Sequence, residues 1–203
     1  MPFCLGKYKM TTTVVYNPTN ISNVSVPNTI TNINSIDWRF NSKALVPNVY
    51  ASSQKPLYTI SGIWMEKYLS NTSQLWCTGY KIPDTGRTVL GIELILDIKR
   101  ASRIEDLIIQ LTKDGATLIG NNYASTINPI QADMYTGNLT EPPVPYNDYH
   151  VYGSSSDLWG TTWSSTDIAS STFGVVLSFQ SNLIIPHSDF AYIHQAGLRI
   201  TYA

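Results

Sequence analysis

The sequence predicts an all-β protein: an antiparallel β-sandwich, jelly-roll-like, with one short helical turn and an extended N-terminal arm. Three observations carry this prediction. Ser, Thr and Asn occur 21, 21 and 15 times and Tyr 13 times in 203 residues. Thr and Tyr suit pleated strands, Asn and Ser suit turns, and none of them favours long helices. Aliphatic residues alternate with a period of two in the middle of the chain, and turn signals separate many short segments. A chain of this length fits one β domain, and it can bury enough surface to need neither a metal nor a disulfide.

Residues 1–37 read as an extended N-terminal arm or an edge strand, and residues 38–203 as the β-sandwich domain. From Thr11 to Ser35 the arm is Asn, Thr, Ser, Val and Ile with scarcely any charge. Thr11-Thr12-Thr13-Val14-Val15-Tyr16 predicts a strand, followed by polar chain punctuated by Pro18 and Pro27. Val14, Val15, Tyr16, Ile21, Val24 and Val26 are its candidate assembly contacts. Two readings stay open: an edge strand on the domain itself, or an arm reaching a neighbouring subunit.

In the domain, Leu90, Ile92, Leu94, Leu96 and Ile98 alternate with Gly91, Glu93, Ile95, Asp97 and Lys99, placing five aliphatics on one strand face. After Ala101-Ser102-Arg103, Leu107, Ile109 and Leu111 alternate within Ile104–Thr112, closed by Asp114-Gly115. The two segments predict an antiparallel hairpin. Further strands are expected at Tyr58–Trp64, Gln74–Ile82, Tyr149–Tyr152, Gly174–Phe179 and Ala196–Tyr202. Four prolines make Asn128–Asn147 a long loop. Ser164-Ser165-Thr166-Asp167 has capping-box form, and Ile168 would anchor that single turn on the core.

Composition excludes several functions. Charged residues make up 13% and the net charge is −1, with no basic run, so no nucleic-acid footprint is expected. No apolar stretch reaches the length of a membrane-spanning helix. MPFCLGKYKM lacks an apolar leader region and a small-residue cleavage site, and Met10 is an alternative start. The sequons at Asn20, Asn23, Asn71 and Asn138 match the about three that chance supplies in so Asn- and Ser/Thr-rich a chain, so they carry no glycosylation signal. Cys4 and Cys77 have no metal or redox spacing and are expected as reduced thiols.

The candidate chemistry is thin. His150, His187 and His194 are scattered, without metal-ligand spacing. No nucleophile-elbow pattern occurs, and Gly153-Ser154-Ser155-Ser156-Asp157 lacks the second glycine. Glu93 and Asp97 share a strand face about 13 Å apart, beyond the about 5–9.5 Å that glycosidases use. Glu105 and Asp106 are adjacent and face opposite ways in a strand. Gly115–Gly120 lacks the Gly-Lys-Ser/Thr ending of a phosphate loop and reads as a turn plus strand. Neither a catalytic residue nor a metal or other cofactor is expected. The most distinctive stretch is Tyr152-Gly153 through Trp163. Trp159, Trp163 and Tyr152 either plug the end of the sandwich or form an aromatic platform for a glycan; aromatic clusters in β domains are usually core.

Together, Gly91-Ile92-Glu93, Gly120-Asn121-Asn122-Tyr123-Ala124, Tyr152-Gly153, Asp157-Leu158-Trp159-Gly160, Trp163, Asp167-Ile168, Phe173-Gly174-Val175 and Leu198–Tyr202 resemble a family of proteins encoded largely by tailed bacteriophages, cyanophages among them. The resemblance spans about residues 38–202, and the Asp-Leu-Trp-Gly-x-x-Trp block with Phe-Gly-Val is its most specific part. The chain departs from the family at His194, where an Asp is usual, and at Arg39-Phe40-Asn41. The resemblance implies a non-enzymatic virion protein made in the host cytoplasm. A capsid cement (decoration) protein is the leading expectation, and a tail, neck or fibre component binding a host glycan the alternative. The implied partners are the major capsid protein or other virion proteins, and further copies of the chain in a homo-oligomer.

Overall fold

The computed structural model describes residues 14–24, 39–40, 61–65, 71–100, 104–124, 146–181 and 189–203. Cys4, Met10, Val26, Trp38, Asn138 and His187, and most of the proline-rich loop, lie outside the described residues.

Ten strands and one helical turn are described: β1 (Asn20–Val24), β2 (Arg39–Phe40), β3 (Ser61–Met65), β4 (Gln74–Thr78), β5 (Val89–Arg100), β6 (Ile104–Thr112), β7 (Leu118–Ile119), β8 (Tyr146–Ser154), α1 (Ser165–Ala169), β9 (Gly174–Ser181) and β10 (Asp189–Tyr202). They form two antiparallel five-stranded sheets. Sheet I runs β1-β4-β9-β6-β7 and sheet II runs β2-β3-β10-β5-β8. The all-β expectation holds: aliphatic and aromatic faces of both sheets meet in one buried cluster, as a sandwich requires.

The wiring is nested. β3 pairs with β10, β4 with β9, β5 with β8 and β6 with β7. The chain is thus folded like one long hairpin, then rolled so that β5 also meets β10 and β6 also meets β9. This order corrects the expected hairpin between β5 and β6. They lie in different sheets, so the link between Arg100 and Ile104 is a crossing between layers. A three-residue break serves either purpose, and only the distant partners decide which.

Three one-residue register shifts adjust which side chains face the core, because an added residue reverses the alternation beyond it. In β5 the shift falls at Leu90, between the pairs Thr201–Gly91 and Tyr202–Val89. Val89 is consequently 3% exposed and Leu90 42% exposed, which reverses the expected inward place of Leu90. In β10 the extra residue is His194, and Ile193, Ala196 and Leu198 all reach the core despite their mixed parity. In β6 it is Leu107, between Asp106 and Ile108. Leu107 is therefore half-buried rather than a core partner of Ile109 and Leu111, and Asp106 turns inward instead.

Of the N-terminal segment residues 14–24 are described, and within them Asn20–Val24 forms an edge strand of sheet I. Its described strand is Asn20–Val24; Thr11–Thr13 of the expected 11–16 strand lie outside the described residues, and of the other three Tyr16 makes an isolated bridge while Val14 and Val15 are not in a strand. The partner decides the position of β1: the edge of β4 lies beside Asn20–Val24 and takes five residue pairs.

Candidate functional site

The densest constellation of sequence-singled residues lies at one end of the sandwich. Three stretches converge there: the start of β5, the loop after β7, and the long β8–β9 connection. The Ile92 N–H donates to the Asp157 carbonyl at 2.9 Å, and the Trp159 indole N–H donates back to the Ile92 carbonyl at 2.9 Å. The Asn121 N–H donates to the Trp159 carbonyl at 2.7 Å. Asp157 holds the loop from within, accepting from the Trp159 N–H (2.7 Å) and the Tyr123 hydroxyl (2.6 Å). That carboxylate bond, with burial, raises the Tyr123 hydroxyl above its ordinary pKa.

Trp159 is fully buried, with its backbone in the left-handed region at φ 57°. Such a conformation costs a bulky residue energy and persists only where its surroundings enforce it. Here the enforcement is visible. Tyr123 packs edge-on against the indole at 4.6 Å. Gly120, at φ 75°, lets the loop approach so closely that a Cβ there would sit 2.1 Å from the Trp159 carbonyl oxygen. Gly153 gives equal room on the other side, where a Cβ would meet the Ile92 oxygen at 2.4 Å.

Trp163 continues the plug. Its indole donates to the Leu158 carbonyl at 2.9 Å and stacks edge-on with Phe173 at 5.3 Å. The Lys113 ammonium lies 4.9 Å from the Trp163 ring centroid and 3.0 Å from Asp167. Asp167 closes the expected capping box of α1: Ser164 Oγ accepts from the Asp167 N–H, and the Asp167 carboxylate accepts from the Ser164 N–H at 2.9 Å. That backbone donor, followed by Lys113, holds the Asp167 carboxyl below its ordinary pKa. Ile168 is buried beneath. Burial of both indoles is the plug arrangement; it leaves no ring face of Trp159 open to a sugar. Tyr152 is half-buried nearby on the inner face of β8, and its hydroxyl donates to Asp106 at 2.7 Å. Ile92, Gly120, Asn121, Tyr123, Gly153, Asp157, Trp159 and Trp163, all within the stretches that carry the resemblance, thus meet in one end cap, where packing and hydrogen bonding account for them.

The candidate assembly residues divide. Val14 and Val24 are exposed. Tyr16 and Ile21 pack against the core, and Val15 lies over Gly197. Tyr16 exchanges two 2.8 Å backbone bonds with Leu198 of sheet II, while Thr19 donates through its N–H to Thr78 of sheet I at 3.1 Å. Residues 16–24 therefore strap one side of the sandwich, binding both sheets.

Among the described residues the other acids singled out in the sequence have separate surroundings. Glu93 pairs with Arg199 at 3.3 Å across β5 and β10. Asp97 is buried in the register position opposite Gln195. Glu105 accepts from Gln180 at 3.3 Å, while its neighbour Asp106 points into the core. Gly115–Gly120 is a turn and a short strand, with Asp114 accepting from the N–H groups of Ala116 and Thr117. Those donors hold the Asp114 carboxyl far below its ordinary pKa. Cys77 is a free, buried thiol, and Asn71 is buried despite its sequon. Among the described residues no group of three or more His, Cys, Asp or Glu is placed to hold a metal ion.

Sequence reasoning missed the Tyr152–Asp106 contact. Its signal was present: Leu107-Ile108-Ile109 breaks the alternation directly after the adjacent acids Glu105 and Asp106, as a bulge does. A scan of the chain against protein-family models, and searches among curated proteins and solved structures, found no match.

Proposed function

We propose that the chain is a structural protein of a bacteriophage particle, a capsid cement protein that works by contact rather than by chemistry. The observation that carries this reading is the nested strand order, β3-β10-β5-β8 facing β4-β9-β6-β7. We infer from it a jelly roll, the rolled double Greek key that viral capsid and lectin domains share. Fold alone does not determine function. The reading is supported further by the family resemblance and by the fate of its motif residues, which are spent on fastening the end of the sandwich. Burial of Trp159 and Trp163 favours this contact reading over the glycan-binding alternative, which would need their rings exposed.

Gold-labelled antibody against the chain, applied to purified particles, tests the proposal. Label on the shell is the expected result. Label confined to the tail or neck would overturn the cement role, and unlabelled particles in a preparation that contains the chain would overturn the virion role.

A further inference from the structure

Residues 14–24 cross from one sheet to the other and are held mainly through their backbone. Tyr16 exchanges two bonds with Leu198 of β10, and Asn20–Val24 pair with β4. Between them Thr19 donates through its N–H to the Thr78 carbonyl and through Oγ1 to the Gly79 carbonyl at 2.6 Å. Apolar burial is slight by comparison. Pro18 is buried and Tyr16 and Ile21 are half-buried against the core, while Val14, Asn20, Ser22 and Val24 are exposed. In the strands beneath, Ile92, Leu94, Leu96 and Ile98 of β5 and Leu177 and Phe179 of β9 are fully buried. Apolar burial is the dominant favourable contribution to folding, so the segment is held more weakly than the sheets it joins.

Its seat is nonetheless specific. Gly79, just after β4 and at φ 71°, and Gly197 of β10 each leave a hollow under it. A Cβ on Gly79 would lie 2.5 Å from Thr19 Oγ1, and one on Gly197 would lie 2.6 Å from Val15 Cγ1. Along β10, residues 189–193 have β3 as a neighbour, whereas at Leu198 the bonded neighbour is Tyr16. The Leu198 N–H, on a central strand, thus depends on the segment for its acceptor.

We propose that residues 14–24 are a separable strap, which leaves its seat and returns to it as one unit while both sheets stay folded. Proteins open in cooperative units, and those with few buried apolar contacts open at the lowest free energy. Opening bares the edge of β4 and the backbone of Leu198 together, one site in each sheet. Reseating returns Val15 and Thr19 to the two glycine hollows, which fixes the register of the closed form. This inference needs no partner and does not depend on the virion reading.

Hydrogen exchange of the full chain in low urea, read amide by amide by NMR, tests it. The amides of Tyr16, Thr19 and Leu198 should share one opening equilibrium, at least about tenfold more populated than that of the β5 and β9 amides. Ile109 is buried in β6, three strands from β1. Ile109→Val should speed exchange in β9 by about two- to twelvefold and leave the three strap-dependent amides within about twofold. Exchange of strap and sheets through one common opening overturns the proposal. So does a Leu198 amide that stays with the rest of β10 while Tyr16 and Thr19 exchange early, or an Ile109→Val variant that speeds all of them equally.

Discussion

Tyr152 of sheet II reaches across the interior to Asp106 of sheet I, and its hydroxyl donates to the Asp106 carboxylate at 2.7 Å. Asp106 is 3% exposed and owes its inward position to the extra residue at Leu107. Removing a donor to a buried carboxylate costs about 1–3 kcal/mol. Tyr152→Phe should lower stability in urea by that amount. A cycle with Asp106→Asn and the double variant should give a coupling energy of about 0.5–3 kcal/mol. Simple additivity would show that the two sheets are not joined energetically at this point.

The end cap should behave as one packed unit around Trp159. Trp159→Ala removes a fully buried ring and its bond to Ile92, and should cost about 3–5 kcal/mol in equilibrium unfolding. Gly120→Ala places a methyl group against the Trp159 carbonyl oxygen in a left-handed turn, and should cost more than about 1 kcal/mol. The pair should be non-additive, since both loosen the same loop.

Burial pushes the Cys77 thiol up to about 12. The thiolate is the reactive form, so in a Cys4→Ser background Cys77 should resist a thiol reagent at neutral pH until denaturant opens the domain. The pH dependence follows from the same shift. A thiol raised in the folded state contributes its full stability below its unfolded pKa, near 8.5. That contribution falls as pH rises toward about 12. Cys77→Ala should therefore lose less stability than the parent between these limits, as measured by urea midpoints at successive pH values.

At α1, Ser164→Ala removes the hydroxyl that accepts from the Asp167 N–H, and should cost about 1 kcal/mol. Asp167 is held below its ordinary pKa, so its contribution is present above the unfolded carboxylate pKa and is lost as pH falls through the folded value. Asp167→Asn should flatten the acid limb of the stability profile. An unchanged acid limb would count against the role of Ser164 and Lys113 in holding that carboxylate.

The fold class was legible because alternation in β5 and the Ser164–Asp167 capping box are local patterns, and both reappear in the structure. The partnership of β5 and β6 was not. Ala101-Ser102-Arg103 would serve a hairpin or a crossing equally well, and the choice rests on β8, β9 and β10, far along the chain. Bulges explain the misplaced side chains: Leu90 and Leu107 fit a period of two only if no residue is inserted. At the cap, the Trp159 block could be identified as distinctive but not assigned a role. Its partners Ile92, Gly120 and Tyr123 come from separate stretches, and no spacing rule links them.

The nested wiring also sets an order of events during synthesis. β10, the last strand of the domain, is the central strand of sheet II, bonded to β3 on one side and to β5 on the other. Until residues 189–202 emerge from the ribosome, β3 and β5 each lack that neighbour, and sheet II cannot close. Contacts between such distant segments make folding slow and leave strand edges exposed meanwhile. A nascent chain stalled short of β10 would thus be the form most in need of a chaperone.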